Sequence, residues 1–344
     1  MDIVLAHESG PNRATESDRN TAHPKWRRSD HPDFLRTMTS RIAQRGAVVV
    51  VAMIIVAVAA IAASTLLQQQ DVAVRQLEAG RDYEQARWLL TGGVQWARVI
   101  LRADALNSGI DYRGELWATG LPLTQVERGS IAGEISDAQA LFNLNNVCRD
   151  GKASEPDIAV LKRLLKTIGL SVDLADAIVD WIDSDSDIRT TESAEDDYYL
   201  SRTIPYRAAN QPLASIEELL RVRGFDAAIV AQLRQFTTVL PQRTPVNVNT
   251  APPEVLVAIV SGLTLPEATV LAASRSTTPF RSRDDFLAKL PRMELRRDDD
   301  YIAVASSFFW VRGRAIVGKA TVQIESLLRR DGSKLPSIYS QWIS

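Results

Sequence analysis

"SRIAQRGAVVVVAMIIVAVAAIAASTLLQQQD", residues 40–71, decides the fold. From Ala47 to Leu67 it runs 21 residues with no charged side chain and no Gly or Pro. At about 1.5 Å per residue, such a helix spans roughly 31 Å, the thickness of a bilayer's hydrocarbon core. Its many Val and Ile residues are poor choices for a soluble helix, but cost nothing in lipid, where backbone groups must pair within the segment. Arg36, Arg41 and Arg45 precede the run. The positive-inside rule therefore predicts a cytoplasmic N-terminal side and a periplasmic body.

The run is too long for a signal-peptide core, and no A-x-A site stands immediately behind it. Instead Gly46, preceded by Arg45, stands directly before the apolar residues. That order resembles a type IV prepilin, which implies cleavage between Gly46 and Ala47 by the prepilin peptidase. Residues 1–46 are then a cytoplasmic leader. It is long for a prepilin, but Met38 opens "MTSRIAQRG", a nine-residue basic leader of the expected kind. Residues 1–37 are polar and aperiodic; they are expected to be disordered, or to precede a true start at Met38. Pilin-like proteins mostly carry Glu at the fifth mature position; here it is Val51. An unpaired carboxylate deep in a bilayer costs about 2.5–3.5 kcal/mol on insertion scales. A subunit with no predecessor has no amino terminus to pair with such a Glu, so an apolar fifth residue suits the first subunit, at the tip.

Composition narrows the function. All three histidines (His7, His23 and His31) lie in the leader, so the body lacks the usual general base and the commonest zinc ligand. Cys148 is the single cysteine, which excludes an intramolecular disulfide and a Cys-based zinc site. A net charge of −2 gives no bulk basicity for nucleic acid. An anchored carboxylate enzyme ranks low, because spacing identifies no acid and base pair; no catalysis is expected.

Beyond the membrane, Val74, Leu77, Tyr83, Trp88, Val94, Ala97 and Leu101 recur at helical spacing, weakened at Gly80 and Gly92–Gly93. They predict a spine helix whose half-apolar face packs on a sheet. Strand patterns occupy residues 130–147, with Phe142 and Leu144 alternating against asparagines, and residues 306–330, read as a hairpin. In that hairpin Phe309, Val311, Val322 and Ile324 face inward, while Arg312, Arg314, Thr321, Gln323 and Glu325 face out. "PSIYSQWI" adds a final strand. Helices are predicted at 155–168, 172–183, 214–222, 226–236, 252–260, 266–274 and 282–290, with Thr250 and Ser282 as helix starts. The fold class is α+β: a long N-terminal transmembrane and spine helix packed on an antiparallel sheet, with a large inserted all-α domain. The boundaries are 47–67 for the transmembrane helix, 68–150 for spine and first strands, 151–300 for the insertion and 301–344 for the strands that complete the sheet.

"FNLNNV", "DWIDSDSD", "EDDYYLS", "PYRAANQPLASIEELLRVRGF" and "VNVNTAPPEVL" follow the anchor in a fixed order. Over residues 40–330 this series resembles the general secretion pathway protein K family, the large minor pseudopilins of type II secretion systems. The resemblance implies a pilin fold with a helical insertion in a single-pass inner-membrane protein. It also implies a place at the pseudopilus tip beside minor pseudopilins I and J, where the chain initiates pseudopilus assembly and supports export across the outer membrane. The major pseudopilin, the prepilin peptidase and the inner-membrane assembly platform are further implied partners, with secreted cargo or the outer-membrane secretin as additional contacts. Some relatives resemble disulfide-bonded proteins near Cys148; a chain with one cysteine cannot follow them.

The chemically sharpest stretch is "DWIDSDSDIRTTESAEDDYYLS". Asp183, Asp185, Asp187, Glu192, Glu195, Asp196 and Asp197 repel one another unless a cation lies among them. Oxygen-only donors select a hard ion and suit calcium. This is no EF-hand, since Ile188 stands where Gly belongs and Ala194 where Glu belongs. Two alternatives stand beside it: a solvated acidic loop, and neutralisation by Arg202 and Arg207. The resemblance supports calcium, which is associated with the inserted domain of the family. Residues 246–290 look like a helix-hairpin-helix unit, which raises the alternative of a membrane-anchored DNA-binding or uptake protein. Its turn, "GLT" at 262–264, lacks the second glycine, and Arg275, Arg281, Arg283 and Lys289 are offset by nearby acids. Packing modules, with no nucleic acid bound, are therefore expected. Trp88, Trp96, Trp181 and Trp310 fit core positions, although an exposed aromatic would suit contact with a neighbouring pseudopilin.

Overall fold

A computed structural model describes residues 39–275, 277–295 and 300–344. The expectations for residues 1–37 and for a start at Met38 lie outside the described residues. The chain divides into two compact units, one ending at Val72 and one running Ala73–Ser344. Helix α1 (Thr39–Asn107) supplies all of the described first unit and the opening element of the second. In the first unit its apolar stretch is wholly exposed, as a lipid-facing helix must be.

The second unit is built around a five-stranded antiparallel sheet: β1 (Leu121–Val126), β2 (Gly129–Asp137), β3 (Phe308–Val317), β4 (Ala320–Arg329) and β5 (Ser337–Ile343), side by side in that order. β3 and β4 form the expected hairpin. Its two-residue turn, Gly318–Lys319, has φ +52° at Gly318, which matches the twist of the flanking strands. Alternation along the hairpin buries Phe309, Val311, Val322 and Ile324 against Ala86, Leu90, Val94, Ala97 and Leu101 of α1. The helix approaches closely where it lacks side chains: a Cβ at Gly93 would stand 3.3 Å from Ile131 Cδ1.

β2 and β3 are neighbours in the sheet, yet residues 138–307 lie between them in sequence. That segment forms its own core around Phe142, Leu144, Leu161, Leu164, Ile178, Trp181, Tyr199, Leu256 and Phe286. It contains α2 (Glu155–Thr167), α3 (Leu174–Ile182), α4 (Asp196–Leu200), α5 (Ala227–Leu233), α6 (Pro253–Ile259), α7 (Leu265–Ser274) and α8 (Arg283–Lys289).

Several expectations are corrected in detail. Residues 216–221 form a 3-10 helix rather than an α-helix, and α4 falls inside the acidic run. Leu144 lies in a 3-10 turn, and Asn143, Asn145 and Asn146 are buried. Their amides bind distant backbone: Asn143 Oδ1 accepts from Leu240 N at 3.0 Å, Asn145 Oδ1 from Leu213 N at 2.8 Å, and Asn146 Oδ1 from Thr244 N at 3.1 Å. Each side-chain NH2 also donates to a distant carbonyl, so three buried amides are satisfied at both ends. Thr250 does not start α6; its hydroxyl donates to Asp137 Oδ2 at 2.6 Å. Trp88 and Trp96 are 71% and 55% exposed, whereas Trp117, unremarked in the sequence, is buried against Phe309. The apolar spacing on α1 is broad enough to fit two faces, and the sheet covers only one of them.

Candidate metal centre

Helix α3 carries Asp176 and Asp180 one turn apart, its C-cap is Asp183, and all three are buried. The chain leaves α3 at Asp183, whose N–H donates to Val179 O at 2.8 Å. Ser184 N then donates to Gly151 O at 2.9 Å and fixes the start of the loop. The loop returns through Arg189, whose N–H donates to Asp180 Oδ2 at 3.1 Å, and reaches Glu195 just before α4. Arg223 holds the return, donating to Thr191 O at 3.1 Å and Ser193 O at 2.9 Å.

The acidic groups sort by whether a cation already meets them. Asp176 takes Lys162 Nζ at 2.8 Å and Arg189 Nε at 3.5 Å. Asp157, also buried, takes Arg149 at 2.6 Å. Asp196 accepts from Arg207 Nη1 and from Ala208 N, both at 3.0 Å, so Arg207 does neutralise part of the run. Arg202 instead lies over the Tyr198 ring, 5.5 Å from its centroid. Asp185 is exposed, and its Oδ1 accepts from Asp187 N at 2.9 Å. Asp187, Glu192 and Asp197 are exposed as well.

Asp180, Asp183 and Glu195 remain. Among the described residues, Asp180 Oδ1, Asp183 Oδ1 and both Glu195 carboxylate oxygens are buried with no hydrogen-bond partner. Burial, then the charges of Asp185 and Asp180, push Asp183 up to about 7. Burial, then Asp180, Asp183 and Asp185, push Glu195 up to about 7. Asp180 is raised as well, chiefly by burial. Buried carboxylate oxygens that lack donors and resist ionisation together are what a cation or protons must satisfy. Cys148 adjoins the group, but burial and the Asp183 charge push its thiol up to about 12, so the donors are all oxygen. The sequence reading left Asp180 out of the ligand set, although its spacing three residues before Asp183 was a signal for it.

A second acidic group lies elsewhere. Asp104, Asp111 and Glu115 each bring one oxygen within 4.8 Å of the others, a spacing able to hold a metal ion. Asp180, Asp183 and Glu195 form no trio that close.

The hairpin of α6 and α7 is closed to phosphate at its usual place. Glu267 accepts from Thr264 N at 2.8 Å in a capping box, and Arg292 donates to the same carboxylate at 3.1 Å. Arg275 is buried and donates to Val248 O and Ala251 O. The unit packs; nothing favours the DNA-binding alternative.

An exposed membrane-length apolar stretch continuous with a helix that packs on an antiparallel sheet, itself interrupted by a helical insertion, defines a pilin-like anchored subunit. Residues 140–242 and 246–305 match two family models, both described as type II secretion system (T2SS), protein K. The chain is 33% identical over 267 residues to the type II secretion system protein K of Klebsiella pneumoniae, covering 73% of this chain and 82% of the relative. The Pseudomonas aeruginosa protein K is 30% identical over 272 residues, 76% of this chain and 81% of its own. The crystal structure of the GspK-GspI-GspJ complex from the enterotoxigenic Escherichia coli type 2 secretion system matches with a TM-score of 0.68. The identity is 26%, covering 78% of this chain and 99% of that one. The chain therefore belongs to the type II secretion system protein K family and is a minor pseudopilin.

Proposed function

We propose that this minor pseudopilin is cut between Gly46 and Ala47, spans the inner membrane once with its body in the periplasm, and caps the pseudopilus beside minor pseudopilins I and J. In this reading residues 1–46 are a leader, 47–67 the anchor, 68–150 and 301–344 the pilin-like part, and 151–300 the inserted domain. The observation that carries the tip position is Val51, an apolar residue where a following subunit would carry a carboxylate. The role is structural: the chain starts a filament that drives export and catalyses no reaction. The major pseudopilin, the prepilin peptidase and the assembly platform act on it or join it, with cargo or the secretin as further contacts.

Calcium belongs to the same proposal. Asp180, Asp183 and Glu195 would hold it, with Asp185 at the exposed edge; the four unpartnered oxygens support this set. A hard cation there neutralises the group and tightens the loop between α3 and α4. Edman sequencing of the protein extracted from membranes tests the processing step. A mature terminus at Ala47 is the expected result, and one at Met1 or Met38 would refute it. Cysteine cross-linking to pseudopilins I and J in secreting cells tests the tip assignment.

A further inference from the structure

We propose a second, separate divalent-cation site where α1 ends, formed by Asp104, Asp111 and Glu115. It goes beyond the calcium site of the inserted domain and shares no residue with it. Asp104 lies in the last turn of α1, and Asp111 and Glu115 in the loop that leads to β1. Their three carboxylate oxygens lie within 4.8 Å of one another, about the span of two calcium–oxygen bonds across one ion.

The local hydrogen bonds leave part of the acceptor capacity of the three carboxyl groups unused. Arg330 Nη1 donates to Asp104 Oδ2 at 2.9 Å, and Arg330 Nη2 to Asp111 Oδ2. Ser306 N donates to Asp111 Oδ2 at 2.6 Å. Glu115 Oε2 accepts from Tyr112 N at 3.0 Å and from Trp117 Nε1 at 2.8 Å. Burial, then the charges of Glu115 and Asp111, push Asp104 up to about 7, so one guanidinium does not balance the three carboxyl groups without a proton or an ion. Asp111 is 1% exposed and its Oδ1 accepts from no fixed donor, while the Asp104 carboxyl stands within hydrogen-bond reach of the Asp111 carboxyl. A buried carboxylate oxygen without a donor, beside two further carboxylates, is a ligand in search of an ion.

The site would have a mechanical use. Asp111 N donates to Val304 O at 2.8 Å, Asn247 Nδ2 donates to Asp111 O at 3.0 Å, and Arg330 follows β4. An ion at Asp111 therefore ties the end of the spine helix to the sheet and to the inserted segment at one point. Oxygen-only donors select calcium or manganese over softer metals.

Terbium, a calcium surrogate, tests this in the full chain in detergent, because Trp117 donates to a ligand carboxylate and sensitises terbium emission on indole excitation. The background carries Asp183→Asn and Glu195→Gln, which removes the inserted-domain site and keeps the two proposals apart. The expected result is one terbium per chain with Trp-sensitised emission, displaced by calcium. Glu115→Gln, which keeps an acceptor for Trp117, weakens binding about tenfold or more. Trp117→Phe keeps terbium bound but loses most of the emission. No emission in that background, or emission unchanged by Glu115→Gln, overturns the site. So does a proton shared by Asp104 and Asp111 that persists at saturating terbium, read from their carboxyl carbon resonances.

Discussion

Asn247 Nδ2 donates to Asp137 Oδ2 at 2.9 Å, bonding the last residue of β2 to a residue deep within the inserted segment. Thr250 and Ser306 donate to the same oxygen at 2.6 and 2.7 Å, and Gln139 N donates to Asp137 Oδ1 at 2.8 Å. One buried carboxylate thus gathers both ends of the insertion.

Removing it strands those donors. Asp137→Ala is expected to cost about 3 kcal/mol, because several buried groups lose one shared acceptor. Asn247→Leu, which removes one donor, is expected to cost less. Equilibrium urea unfolding of both variants checks the order, and equal costs would show that the carboxylate is no hub.

The inserted-domain acids give a pH signature. Asp183 and Glu195 are raised from ordinary carboxylate values to about 7. Without a cation the folded state therefore binds more protons than the unfolded one between about pH 4 and 7. Stability in chelator falls as pH rises through that window. If calcium binds there as proposed, it reverses the loss, and its stabilising effect grows towards neutral pH. Differential scanning fluorimetry at pH 5 and pH 8, with chelator and with calcium, reads the effect as a Tm gap that opens at the higher pH.

Two adjacent glycines in α1 are expected to respond with opposite signs. A Cβ at Gly92 meets nothing within 4 Å, so Gly92→Ala should stabilise by about 0.5–1 kcal/mol through helix propensity. Gly93 faces Ile131 Cδ1 at 3.3 Å, so Gly93→Leu should destabilise by about 1–3 kcal/mol through overpacking. Thermal unfolding of the pair measures both. Two losses of equal size would mean that the helix does not seat on the sheet in this register.

At the anchor, Val51→Glu places a carboxylate at the fifth residue of the apolar run, and its insertion cost is expected to lie below the roughly 2.5–3.5 kcal/mol of a helix centre. If the chain has no predecessor in the filament, secretion falls and adding the charge rescues nothing. Gly46→Ala should leave the precursor uncut, seen as slower migration in gels. Secretion assays with each variant in a strain lacking the native copy separate processing from tip placement.

Much of the fold was legible because apolar pattern and element coincide. The stretch from Ala47 to Leu67, the hairpin from Phe308 to Arg329 and most of the short helices carry their own periodicity. β1 was missed: "LPLTQV" contains Pro122 and sits exposed at a sheet edge, so no buried face imprints alternation on it. Trp88 and Trp96 misled because their spacing says helix, not which face the sheet covers. The burial of Asn143, Asn145 and Asn146 was not legible, because a sequence does not show that distant backbone will meet their amides. In the acidic run, residue type pointed to a cation. Only packing divides Asp180, Asp183 and Glu195 from Asp176 and Asp196, whose partners come from remote positions.

The pairing of β2 with β3 carries a kinetic consequence. Asp137 lies opposite Phe309, so the sheet cannot close until nearly all of the polypeptide has emerged and the intervening segment has collapsed. Distant pairing of this kind carries a large loop-closure entropy and slows folding. A newly made chain therefore passes through a stage in which α1 and β2 wait with apolar surface uncovered. That interval, rather than the finished subunit, is where chaperones would make a difference to yield.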